Sequence, residues 1–264
     1  MSEASETGPV VSVKNLHAGF GSREILKDVS MEVAPGEIRC ILGASGSGKS
    51  TLLRNLLGLE IPWSGEATVL GRILGVASEE AADALSCVGV LFQGGALVTS
   101  LTVGQNTMLP LVIDGIAPDG AAEELARARL SQVRMADAWG LMPSELSGGM
   151  RKRAALARAL VREPRVLFCD EPSAGLDPLS ARELDDLLLE LRESLGLTII
   201  VVSHEIESIK VLAGRILYLH DGAVLFDGTL PEALESGPDR VKDFFARRVD
   251  PTDRPKPTTW EILQ

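Results

Sequence analysis

Residues 38–53 read Ile38-Arg39-Cys40-Ile41-Leu42-Gly43-Ala44-Ser45-Gly46-Ser47-Gly48-Lys49-Ser50-Thr51-Leu52-Leu53. A short, mostly apolar strand (38–42) runs into a glycine-rich loop, and a helix opens at Thr51. Glycines let successive backbone N–H groups turn inward around an anion, and the following helix N-terminus adds its partial positive charge. Lys49 then reaches the outer phosphates, and Ser50 offers a hydroxyl to Mg²⁺, an ion that takes few protein ligands and keeps several waters. Gly43, Ala44, Ser45, Gly46, Ser47, Gly48, Lys49, Ser50 and Thr51 are therefore candidate nucleotide-binding residues. A nucleoside triphosphate with Mg²⁺ is the expected ligand.

Working outward, 10–16 and 25–33 read as strands around a Gly19-Phe20-Gly21-Ser22 turn, an antiparallel start. From Ile38 the pattern alternates strand and helix. Apolar strands at 166–169 and 198–202 imply parallel strands buried on both faces, so the core is α/β. Residues 117–139, rich in Ala, Glu and Arg, carry helix signal only and predict an inserted helical subdomain spanning about 94–162; a second helix is predicted at 149–162. Asp221-Gly222 between 216–219 and 223–226 predicts a hairpin. Three parts follow: a disordered leader (1–9), one ATPase-sized domain (10–237) and a C-terminal helix with an extended tail (238–264). In the tail, Pro251, Pro255 and Pro257 lead to Trp260, expected to dock on a neighbouring chain.

Composition narrows the classes. With 26 Lys and Arg against 37 Asp and Glu, the formal charge of −11 disfavours binding to nucleic acid, which needs a basic stripe. The longest aliphatic runs, such as 197–202, fall far short of the roughly 18 residues of a membrane span. The polar start lacks the pattern of a secretion signal, so residence in the cytosol is expected. Cys40, Cys87 and Cys169 are too scattered for a disulfide framework or zinc site and read as free thiols.

A phosphate-binding loop alone admits kinases, GTPases, recombinases and transport ATPases. Val166-Leu167-Phe168-Cys169-Asp170-Glu171 is an apolar strand ending in two carboxylates. Packing rarely calls for that. Asp170 is placed to hold the Mg²⁺ shell and Glu171 to act as the base that polarises the attacking water. Gln93, after an apolar strand, is a candidate for contact with both Mg²⁺ and water, and His204, after strand 197–202, for contact with the terminal phosphate.

Glu145-Leu146-Ser147-Gly148-Gly149-Met150 ahead of that strand resembles the signature motif of ATP-binding cassette (ABC) proteins. The resemblance continues through Gln93 (the Q-loop), Ala174-Gly175-Leu176-Asp177 (the D-loop) and His204 (the switch histidine), and spans about 10–228. It implies an ABC nucleotide-binding domain, a phosphate-loop core with an N-terminal antiparallel subdomain and an inserted helical one. It places Phe20 against adenine, and Ser147, Gly148, Gly149 and Asp177 at ATP held between two copies of the chain. Metal contacts fall to Ser50, Gln93 and Asp170. A non-transport cassette ATPase would resemble tandem cassettes or carry long coiled-coil insertions, so a transport motor is the stronger reading. Leu91-Phe92-Gln93-Gly94-Gly95-Ala96-Leu97 and Met142 to Met150 look like the ATPase of Mce/Mla-type phospholipid systems, with a small-molecule importer as the alternative. The resemblance implies a homodimer, a membrane permease dimer at the cytoplasmic face of the inner membrane, an Mce-type lipid-binding protein and a small cytosolic regulatory subunit.

Overall fold

The computed structural model describes residues 8–75 and 78–248. The Trp260 segment and most of the leader lie outside them.

The strand that feeds the loop lies inside the larger of two sheets. β1 (Val11–Phe20) and β2 (Arg23–Val33) form an antiparallel hairpin, and β3 (Ile38–Leu42) then leads into the loop and helix α1 (Lys49–Leu56). β4 (Ser64–Val69) pairs with β1, and the two-residue β5 (Arg72–Ile73) pairs with β4, so the first sheet has the order β2-β1-β4-β5. Helix α2 (Glu79–Ser86), capped by Ser78, precedes β6 (Val88–Leu91). The chain then leaves the sheet for α3 (Val103–Ile113), α4 (Asp119–Gln132) and α5 (Gly148–Leu160), returning as β7 (Val166–Asp170). Helix α6 (Pro178–Leu195), β8 (Thr198–Val202), α7 (Ile206–Leu212), the hairpin β9 (Arg215–His220) and β10 (Ala223–Thr229), and helices α8 (Leu230–Glu235) and α9 (Asp239–Phe245) complete it.

The second sheet runs β10-β9-β3-β8-β7-β6, parallel except at the β10 edge. Strands β3 and β8 are buried along their whole length, which is why they read as continuous apolar runs. One face packs Ile41, Phe168 and Leu219 against Leu52 and Leu56 of α1 and Leu26 of β2. The other packs Cys40, Leu42 and Cys169 against Leu156, Leu187, Leu188 and Phe245. Each such side chain contributes about 1.5–3 kcal/mol by leaving water. Arg39 interrupts the apolar run of β3 because it is paired: Nε donates to Glu37 at 2.7 Å, Nη1 to Asp227 at 2.5 Å and Nη2 to the Glu32 carbonyl at 2.6 Å. A buried charge survives only with such partners.

Several boundaries move. β1 extends to Phe20 because register shifts between Val13 and Ala18 absorb residues that break strict alternation, with Asn15 at φ 45°. Helix α1 starts at Lys49, two residues ahead of the expected Thr51, because Gly48 at φ 107° turns the loop directly into the helix. Residues 97–111, an apolar stretch in the sequence, contain helix α3. A Thr102/Gln105 capping box opens it, and the buried Asn106 amide pins the preceding loop through Val98 N and the Val98, Leu101 and Thr102 carbonyls. The hairpin forms at Asp221-Gly222, both at positive φ. Cys40 and Cys169 are buried free thiols, and Cys87 is half-buried.

Candidate active site

The loop between β3 and α1 is built for glycine at two tight points. A Cβ on Gly43, at φ 146°, would stand 2.2 Å from the Leu219 carbonyl oxygen, and one on Gly48 would meet Leu26 Cδ2 at 2.6 Å. Helix α1 has no side-chain N-cap and no acidic residue in its first turn, whereas α3, α5, α6 and α8 are capped by a side chain and the uncapped α7 and α9 carry Glu207 and Asp239 in their first turns. Its first N–H groups are thus left for an anion, the arrangement a phosphate chain requires. Lys49 Nζ lies over the loop, donating to the Gly43 and Ala44 carbonyls at 2.8 and 3.0 Å. Burial lowers its pKa, while Glu171 and Asp170 act to raise it.

A cavity of about 700 Å³ opens here, lined by Gly43 to Gly46, Gly48 to Thr51, Gln93, Asp170, Glu171 and His204. Ser47 is the exception in the loop: its Oγ is buried without a partner, so its side chain faces inward. Asp170 ends β7, and burial first, then the neighbouring Glu171, pushes its carboxyl above the usual range. A cation in the cavity would relieve both effects. Ser50 and Asp170, with Gln93 beside them, fit Mg²⁺ with most of its shell left to phosphate and water. When bound, Mg²⁺ neutralises charge that builds on the phosphate oxygens.

Glu171 is held unusually firmly. Its backbone is left-handed, φ 48°, a conformation that costs a non-glycine residue about 1–2 kcal/mol. Three bonds impose it: Glu171 N donates to Val202 O at 2.8 Å, and its carbonyl accepts from Lys152 Nζ at 2.9 Å and from Ala174 N at 3.3 Å. The carboxylate lies 2.7 Å from His204 Nδ1 through Oε1, while Oε2 accepts from the Ser203 hydroxyl at 3.3 Å. Glu171 is buried and the His204 ring exposed at the cavity, an arrangement suited to receiving a proton from a water held near a phosphate.

Ser147, Gly148, Gly149, Asp177 and Phe20 do not line this cavity. Ser147 caps α5 by accepting from Met150 N at 3.2 Å. Asp177 caps α6, and hydrogen bonds from Ser180 hold its carboxyl below the usual range. A Cβ on Gly148 would touch Leu176 at 3.2 Å, so the start of α5 packs on the segment that leads to Asp177. Phe20 is half-exposed at the end of β1.

The sequence reading missed Phe244. It reaches the cavity wall from α9, some forty residues beyond His204 in the chain, and is steadied edge-on by Tyr218 at 5.4 Å and Phe245 at 5.5 Å. Arg23 and Ile25 at the start of β2 line the same cavity. Phe244→Ala should weaken Mg-ATP binding about fivefold, as loss of roughly 1 kcal/mol of ring contact implies. Unchanged affinity in a direct titration would leave Phe244 a packing residue only.

An uncapped phosphate-binding loop, a carboxylate pair at the end of the neighbouring strand but one and a histidine after the strand between them define a nucleoside triphosphate hydrolase with a phosphate-loop core. The ABC transporter family profile matches residues 26–174. The chain is 38% identical over 223 residues to a methionine import ATP-binding protein of Latilactobacillus sakei, covering 83% of this chain and 64% of that one. It is 36% identical over 242 residues to the intermembrane phospholipid transport ATP-binding protein MlaF of Haemophilus influenzae, covering 91% and 92%. It is also 34% identical over 246 residues to a probable ribonucleotide transport ATP-binding protein of Mycobacterium leprae, covering 92% and 71%. A solved dimer of the ATP-binding cassette MJ0796, in a post-hydrolysis state with ADP and Pi, superposes with a TM-score of 0.74 at 31% identity, over 83% of this chain and 98% of that one. The chain belongs to the ABC transporter family and is an ATPase cassette that binds ATP with Mg²⁺.

Proposed function

We propose that this chain is the ATP-hydrolysing motor of an Mce/Mla-type transporter that moves phospholipid between membranes. The carrying observation is co-linearity: the MlaF relative is matched along almost its whole length, whereas a large part of the methionine import relative lies outside the match. In this reading the chain sits at the cytoplasmic face of the inner membrane. Among the described residues no helix is long and apolar enough to cross a membrane, so a separate permease carries the path. An Mce-type lipid-binding protein and a small cytosolic regulatory subunit complete the assembly. The second reading, a small-molecule importer, is favoured by the higher identity to the methionine import protein. Purifying the chain with its permease from native membranes and measuring ATPase separates them: stimulation by phospholipid vesicles supports the first reading, and stimulation by methionine replaces it with the second.

Within the motor, Glu171 takes the proton of the attacking water, and Lys49 and the N–H groups of α1 hold the phosphates. His204 leaves Glu171 to contact the terminal phosphate. Ser147, Gly148, Gly149 and Asp177 act on ATP bound by a second copy, which explains why they stand outside their own chain's cavity; a two-fold dimer completes both sites. Phe20 stacks on adenine.

The permease contact falls on a groove of about 400 Å³ where Leu109 and Pro110 of α3 meet Phe92, Ile113, Arg158 and Arg162. Val98 is exposed but lies outside the groove, and Val103 and Leu111 are core. Ile113 is 71% exposed, so a charge there leaves the fold intact. Ile113→Glu should keep basal ATPase and lose co-purification with the permease. Full retention of the complex and of transport would exclude the groove.

A further inference from the structure

Behind the catalytic strand ends lies a polar cluster that ATP binding does not use. Ser173 is 4%, Ser208 5% and Asp185 2% exposed. The Ser208 and Ser173 hydroxyls are hydrogen-bonded to each other at 2.9 Å, and Ser208 stands beside Asp185 on one cavity wall, where its hydroxyl favours the charged form of the carboxyl. Ser173 follows Glu171 by two residues, and Ser208 follows His204 by four. The two segments that meet at the Glu171 carboxylate, through Ser203 and His204, are therefore joined again deeper in the fold. Asp185 connects this second rung to α6, the helix that Asp177 caps.

Packing alone gives no reason for an acid at position 185. Its neighbours on the buried face of α6 are Leu184, Leu187, Leu188 and Leu191. One carboxylate oxygen, Oδ1, is buried without a partner. Burial pushes the carboxyl up to about 6, against the pull of Ser208 and Arg182. Burying an acid with one oxygen unpartnered carries a cost that an apolar residue there would not. The cluster also forms one wall of a cavity of about 420 Å³ between α6 and α7, which leaves those helices free of continuous apolar packing at this level.

We propose that Asp185, Ser208 and Ser173 form a tie that keeps the Glu171 and His204 segments in register during hydrolysis, making Asp185 a positioning residue for the ATPase step. When His204 turns from Glu171 toward phosphate, the first rung opens. The second rung holds together with the Ser203 hydroxyl and the main-chain bonds of Glu171, so the segments stay in register and the movement is passed to α6 instead of being lost as loosening of the loop. This rests on the roles given above to Glu171 and His204.

The test compares Asp185→Leu, Asp185→Asn and Ser208→Ala in the full-length chain, with Glu171→Gln alongside, reading kcat, Mg-ATP affinity and thermal midpoint. Asp185→Leu and Ser208→Ala should each lower kcat about tenfold, in line with the cost of a small misplacement, with nucleotide Kd held within about twofold. The thermal midpoint of Asp185→Leu should be equal or higher, so activity and stability move in opposite directions. Asp185→Asn keeps an acceptor for Ser208 and should hold kcat within about threefold of the parent. A parental kcat in Ser208→Ala while Glu171→Gln is inactive overturns the tie and leaves the base in place. Parental turnover in Glu171→Gln overturns the underlying roles instead. If Asp185→Leu does not fold, Ser208→Ala decides.

Discussion

Glu171→Gln is expected to bind Mg-ATP as tightly as the parent and to turn over roughly 10²–10⁴-fold more slowly, the usual cost of removing a general base. Binding survives because the proposed phosphate contacts belong to Lys49 and the N–H groups of α1, none of which the substitution touches. The shape survives because the left-handed backbone at 171 is fixed by Val202, Lys152 and Ala174 through main-chain atoms that glutamine also has. Only the proton acceptor is lost. The variant should therefore accumulate as an ATP-bound dimer, detectable as doubled mass in Mg-ATP. Hydrolysis at the parental rate would remove Glu171 from the chemistry.

Ser147→Arg should abolish turnover while leaving nucleotide binding to its own chain unaffected. The lost cap on α5 costs about 1 kcal/mol, too little to unfold the domain. In the proposed dimer, arginine would instead occupy the space facing a second copy's terminal phosphate. Lys49→Ala has the complementary defect, loss of phosphate binding with an intact Ser147. Mixing the two variants should recover hydrolysis above either alone, because one of the two sites in a mixed dimer is assembled from intact halves. No recovery in mixed dimers that do form in Mg-ATP would mean either strict coupling of the two sites or no site shared between chains.

What the sequence disclosed depended on how local each feature is. The loop from Gly43 to Ser50 is contiguous, and its glycines, lysine and serine each have a single evident use, so ligand and core class were both legible. Asp170 and Glu171 were legible because adjacent acids at the end of an apolar strand oppose packing. The hairpin at Asp221-Gly222 followed from turn chemistry. Helix α3 was obscured by being apolar nearly all round and by Pro110 inside it, although its Thr102/Gln105 capping box was in plain view. Phe244 had no local signal: its place at the cavity depends on α9 packing beside Tyr218, a contact between distant parts of the chain. Asp185 was hidden for the same reason, as one acid among the charged residues of α6 until the fold showed which face is inside.

The Lys49 ammonium is shared between the Gly43 and Ala44 carbonyls. Capturing a phosphate is thus an exchange of partners, and the net gain is the modest difference between two sets of hydrogen bonds. The same exchange runs backward after hydrolysis, when the loop's own carbonyls compete with ADP for the lysine and lower the barrier to product departure. A lysine with two partners of its own in the loop trades grip for turnover, the compromise required of a machine that must release its fuel at the end of every stroke.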